Sequence, residues 1–213
     1  MSQINTPVSL TGRTIPAPPK YELLQALSLG SPAWLSRVLA LWLQSQDVQP
    51  GKTLSLNELN YDTIRAWLEV QLKLDKNNHY PFMAALHYYG NVRNPQKLRK
   101  MLAFVEQNFT EKPETYWRWM AEAVIKAKYQ LKDTEFAYEL AVTLAAATYD
   151  LDVPNWAQQM HIFLLEEMGE VEAAALLLGA LLSSGSISKE EEIRFLQNRL
   201  RRMQAQIDEK SSH

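Results

Sequence analysis

Four histidines, His79, His87, His161 and His213, are the side chains of this sequence best suited to bind a metal or move a proton, and none stands in an H-E-x-x-H or similarly spaced pair. His79 and His87 have Pro81 between them and lie too far apart along the chain to share one ion locally. His161 precedes Glu166 and Glu167, but the position four residues on is Leu165, so no local histidine and carboxylate ligand set forms. Glu166, Glu167, Glu170 and Glu172 gather around one turn. Paired carboxylates do acid and base work when burial separates their pKa values, whereas acids beside a helix start also suit solvent and the positive end of the helix dipole. With no cysteine there is no disulfide, thiolate metal site or cysteine nucleophile. No G-x-S-x-G elbow, phosphate-binding glycine loop or dinucleotide fingerprint occurs. The expectation is a non-enzymatic protein with no metal and no cofactor.

Two surfaces remain as candidates for binding. Arg93, Lys97, Arg99 and Lys100 crowd one stretch beside Tyr88 and Tyr89, a basic patch that would suit an acidic peptide or simply form a solvated face. A formal net charge of -2 gives no general attraction to phosphate, so nucleic acid is not expected as a partner. Aromatic density peaks in Tyr116-Trp-Arg-Trp119, where a helix sends Tyr116 and Trp119 to one side and Trp117 and Arg118 elsewhere. Exposed tryptophan and arginine contribute disproportionately to interfaces, which marks Trp117 and Arg118 as the preferred contact surface. The alternative is that both tryptophans pack between neighbouring helices.

The elements that must carry these residues are helical. A content of 46% hydrophobic and 22% charged residues is that of a globular protein with a sizeable core. Pro7, Pro16, Pro18 and Pro19 make residues 1–20 a tail or linker, and the order Arg13, Pro16, Pro19 also fits a polyproline II ligand. From Tyr21 onward apolar residues recur at three- and four-residue steps. Leu23, Leu24, Leu27 and Leu29 predict a short first helix ending near Gly30, and Pro32 opens a second carrying Leu35, Val38, Leu39 and Trp42. Pro50 and Gly51 interrupt the pattern, and Asp62 is expected to cap a helix whose inner face is Ile64, Trp67, Leu68 and Leu72.

Leu72-Lys-Leu-Asp-Lys-Asn-Asn78, followed by Phe82, Leu86, Tyr89, Leu98, Leu102 and Val105, resembles a tetratricopeptide repeat. Two further units share the likeness. Tyr116, Trp119, Met120 and Ala123 precede Phe136, Leu140 and Leu144 in one; Trp156, Met160 and Phe163 precede Gly169, Ala174, Leu178 and Leu181 in the other. Gly90 falls out of step with the family's inter-helix glycine, and the units average about forty residues where the family has 34. The resemblance implies an all-α fold of stacked antiparallel helical hairpins, with a concave groove that binds peptides or partner helices.

The expected organisation is a tail over 1–20 and one helical domain over 21–213, with an N-terminal hairpin and loop at 21–61, repeat-like hairpins at 62–185 and a capping helix at 186–208. In that last helix Ser188-Lys-Glu-Glu191 can form a capping box, and Ile193, Leu196, Leu200, Met203 and Ile207 make a narrow seam. The seam either covers the last hairpin or pairs with a second copy as a homodimer. The expected function is a scaffold or adaptor for a protein or peptide, its groove lined by His87, Trp117, Arg118 and Lys126. The alternatives are a helical enzyme or ligand-binding domain using His161, Glu166 and the tryptophans around an interior cavity, and a self-associating module. The longest apolar run, Ala173 to Leu182, is about half of the roughly 20 residues of a membrane span, and residues 1–20 lack a secretory signal, so the default expectation is a soluble cytoplasmic protein.

Overall fold

The computed structural model describes residues 15–49, 52–53, 56–185, 187 and 189–211. Ser188, His213, Arg13, Pro7, Pro50 and Gly51 lie outside the described residues, and with them the capping box and the polyproline II reading. The chain divides into two compact units, one ending at Pro81 and one beginning at Phe82. Both are helical, apart from one short strand pair.

In the first unit, residues 15–20 have no regular structure, as their prolines predict, but the Trp67 indole donates a 2.8 Å hydrogen bond to the Pro16 carbonyl. Helix α1 (Tyr21–Leu27) ends in a turn where Leu29 and Gly30 take φ of 50° and 84°, and Pro32 opens α2 (Pro32–Asp47). Of the four leucines expected in the first helix, only Leu24 is buried. A helix of two turns offers little more than one inward position before the chain reverses. A two-residue antiparallel pair, β1 (Val48–Gln49) with β2 (Lys52–Thr53), follows. Helix α3 (Tyr61–Leu74) is capped by Asn60, whose Oδ1 accepts from the amides of Asp62 and Thr63. The expected cap, Asp62, instead occupies the first turn, where its charge meets the positive helix end. Ile64, Trp67, Leu68 and Leu72 are buried as their spacing predicts. Helix α3 packs on α2. The Asn78 amide donates to Ser36 Oγ at 2.9 Å, which donates to the Gln71 carbonyl at 2.8 Å. These bonds tie α3 and its following turn to the N-terminal hairpin, so α3 belongs to the first unit and not with the later helices with which the sequence reading grouped it.

Helix α4 (Tyr80–Met83) runs across the division into a π turn (Ala84–Tyr88) and a 3-10 turn (Tyr89–Asn91). In the second unit these lead to α5 (Pro95–Phe109), and α6 (Pro113–Lys126) then ends in another π turn (Ala127–Leu131) before α7 (Thr134–Ala147). The starts of α5 and α7 match. Asn94 and Asp133, roughly forty residues apart, each accept the amide of the third residue on. Phe82, Leu86, Tyr89, Leu98, Leu102 and Val105 are all buried, and the Phe82 ring lies 4.5 Å from Tyr116 and 5.9 Å from Phe104. A Cβ on Gly90 would stand 2.7 Å from the Ala85 carbonyl oxygen. Gly90 is therefore required by the preceding π turn, which explains why it stands out of step with the repeat pattern.

Helix α7 packs on α8 (Asn155–Gln158) and α9 (Met160–Glu167), α9 on α10 (Val171–Ser183), and α10 on α11 (Glu190–Ser211). The sequence predicts one helix with Trp156, Met160 and Phe163 inward. The helix instead breaks between Gln158 and Met160, and the burial register shifts to Val153, Ala157, Gln159, Ile162 and Leu165, leaving Trp156 50% exposed. On α11, Leu196 and Met203 are buried and Ile193, Leu200 and Ile207 partly buried in one cluster with Ala174 and Leu178 of α10. The seam of the last helix thus faces its own neighbour.

Candidate functional site

Beside the shift at α8 and α9 lies a concavity of the second unit. Trp117 and Arg118 of α6, Asp152 to Trp156 around the start of α8, Gln159 and Phe163, and Lys189, Glu192 and Phe195 around α11 line a groove of roughly 670 Å³. Its aromatic floor is organised. The Trp117 and Trp156 rings meet edge to face with centroids 5.7 Å apart, and the Arg118 guanidinium lies 5.1 Å from the Trp117 centroid. The Glu192 carboxylate accepts from the Asn155 amide at 3.1 Å and the Gln159 amide at 2.9 Å, pinning the break between α8 and α9 to α11. Among the described residues no carboxylate forms an ion pair with Arg118 or Lys189. The groove therefore offers two cations whose charge is not taken up by an ion pair, beside Trp156 and Phe195, both about half exposed. The lining also carries Asp152 and Glu192, the latter engaged by Asn155 and Gln159, so an apolar side chain adjoining a carboxylate would be complemented beside Arg118 and Lys189.

The predicted contact residues divide. Trp117 and Arg118 belong to the groove, whereas His87 and Lys126 are not among its lining residues. His87 Nε2 lies 3.2 Å from the Glu122 carboxylate and its ring meets Trp119 edge to face; the Lys126 ammonium donates to Gln130 Oε1 at 3.2 Å. His87 lies within the π turn after α4, and Lys126 stands in the last turn of α6, about two turns beyond Trp117 and Arg118. The basic cluster is also divided. Arg99 pairs with Asp133 and lies 4.2 Å over the Phe136 ring, while Arg93 is exposed and Lys97 and Lys100 are partly buried on α5.

The groups expected for an enzymatic site are engaged by neighbours. Arg199 donates to Glu166 at 2.5 Å and covers the Phe163 ring at 4.2 Å. Lys128 pairs with Glu167 at 2.5 Å, and Lys210 with Glu172 at 3.8 Å. Glu170 is exposed at the start of α10. His161 Nδ1 lies 2.8 Å from the Gln158 carbonyl, and burial holds the imidazole below the usual histidine range against the opposing effect of that bond. Among the described residues, no three histidine, aspartate or glutamate side chains are grouped to hold a metal ion.

Sequence reasoning missed Phe195, Gln159 and Glu192. Phe195 carried a signal, since it is a large aromatic one position off the Ile193, Leu196 and Leu200 seam; Gln159 and Glu192 carried none, because their roles depend on a helix break. Compared with known proteins, the chain matches no family model, no curated protein and no solved structure.

Proposed function

We propose that this chain is a non-enzymatic helical scaffold, built as tetratricopeptide-like antiparallel hairpins closed by α11, that binds a segment of another protein in the Trp117 and Trp156 groove. The observation that carries the reading is the pairing of half-exposed aromatics with Arg118 and Lys189, cations without ion-pair partners among the described residues, at a concavity large enough to seat side chains of a peptide. Sequential packing of α5 to α11 supports an array in which each helix contacts mainly its chain neighbours. The engagement of His161 and Glu166 favours this reading over an interior enzyme site.

The test is selection from a displayed peptide library against the whole chain, followed by affinity measurement on the enriched peptides. Enrichment of segments with a bulky apolar residue next to an acid is expected. Their binding should weaken about tenfold or more in Trp156→Ala and in Arg118→Ala, as for interface anchors generally, and stay unchanged in His87→Ala. Peptides that bind both groove variants as well as wild type would place the surface elsewhere, and a library yielding no saturable binder would remove the scaffold reading.

A further inference from the structure

Residues 15–20 lie on the first unit as a strap, and each link of it favours the same backbone form. Pro16, Pro18 and Pro19 have φ fixed by their rings, and Ile15, Ala17 and Pro18 are each held extended by the proline that follows. Lys20 has φ -57° and ψ 142°, close to polyproline II values. Burial agrees. Ile15, Pro18 and Tyr21 are partly buried, whereas Pro16, Ala17, Pro19 and Lys20 are exposed. A step of three is that of a polyproline II helix, which has three residues per turn and so keeps one edge toward the surface beneath it.

The surface beneath is aromatic and carries a donor. Trp67 of α3 is 4% exposed, its ring centroid is 4.6 Å from that of Trp42 on α2, and its indole donates to the Pro16 carbonyl at 2.8 Å. A polyproline II chain has no internal hydrogen bonds, so its carbonyls are free for such a donor, and it docks on aromatic surfaces with little loss of backbone entropy. The strap is lightly held, since four of its six residues are exposed. We propose that the Trp67 surface is a binding site for polyproline II segments, occupied in cis by residues 15–20, and that a proline-rich segment of a partner protein takes it by displacing the strap. Tethered beside its site, the strap acts as a built-in competitor at an effective concentration on the order of millimolar. An incoming segment binds only the fraction of molecules whose strap is open. The site belongs to the first unit, and its test does not involve the Trp117 and Trp156 groove.

The experiment uses the full chain and a synthetic, end-blocked hexapeptide with the sequence of residues 15–20, followed by NMR through the Trp67 indole N–H, its signal assigned with Trp67→Phe. In wild type this proton should be protected from exchange with solvent. The triple variant Pro16→Gly, Pro18→Gly and Pro19→Gly loosens the strap and leaves every residue of α1 to α3 unchanged. Its indole proton should lose protection and regain it when the hexapeptide is added, and the peptide should bind the variant at least about tenfold more tightly than wild type. The same hexapeptide with its prolines replaced by glycine should bind neither chain. An indole proton as protected in the triple variant as in wild type, or equal binding of the glycine peptide, would overturn the proposal. So would a hexapeptide that at millimolar concentration leaves the variant's indole unprotected, since the strap would then be a fixed part of the fold and not the occupant of a shared site.

Discussion

The helices α5 to α7 and the stretch from α8 to α11 treat the same residue type in opposite ways. Phe104 and Phe109 of α5 are fully buried, and Tyr116 and Phe136 nearly so. Trp156 of α8 and Phe195 of α11 are about half exposed and line the groove. The first stretch has continuous helices of about four turns, so one apolar stripe stays aligned with its neighbours along its whole length. The second starts with a four-residue helix and an eight-residue helix out of register, and aromatics near such a break cannot all reach the same core. Loss of helical phase thus turns Trp156 outward, whereas Trp117 and Phe195 reach the groove because they stand off the apolar stripes of the continuous helices α6 and α11.

The contrast is most easily broken at Phe104. Phe104→Ala should lower stability by about 3–5 kcal/mol in urea unfolding, because a fully buried ring leaves a cavity; a loss below about 1 kcal/mol would mean that the ring is not in a close-packed core. Gly90→Ala should cost about 1–3 kcal/mol, since the new Cβ meets backbone and not a movable side chain. Trp156→Ala should change stability by less than about 1 kcal/mol while weakening peptide binding, and a stability loss as large as that at Phe104 would erase the distinction between the two stretches.

The smallest effect tests the polar edge of the first stretch. Partial burial, and then the Glu139 carboxylate, raise the Glu106 pKa, opposed by a hydrogen bond from Thr143. With a pKa raised in the folded state, ionisation of Glu106 opposes folding above that pKa, and the penalty is absent below the ordinary carboxylate range, where folded and unfolded forms are both protonated. Glu106→Gln should therefore stabilise at pH 7, by less than about 1 kcal/mol given solvent screening, and the gain should vanish on acidification to about pH 4. A gain that grows on acidification would reverse the assignment.

Much of the fold was legible in the chain. Pro32, Pro95 and Pro113 open helices, Gly30, Gly169 and Gly185 take positive φ at helix ends, and Phe82, Leu98, Leu102, Leu140 and Leu144 are buried as their spacing requires. The choice of Asn60 over Asp62 as the α3 cap was not, because both residue types cap helices and only backbone geometry at Asn60 selects between them. Half of the groove was legible too: Trp117 and Arg118 stand off the apolar stripe of α6, and a residue off the stripe must face something other than the core.

By itself, then, the sequence determined that the protein is helical, where most helices begin and, from α3 to α7, which leucines and phenylalanines they bury. Those properties depend on residues within a few positions of one another, through helical period, proline and glycine conformations and side-chain caps. Tertiary structure alone decided the membership of α3 in the first unit, the break at Gln159, and the meeting of Trp117, Trp156 and Phe195 at one groove. Each of these depends on contacts between residues distant in the chain, and a local pattern is the same whether or not such contacts form.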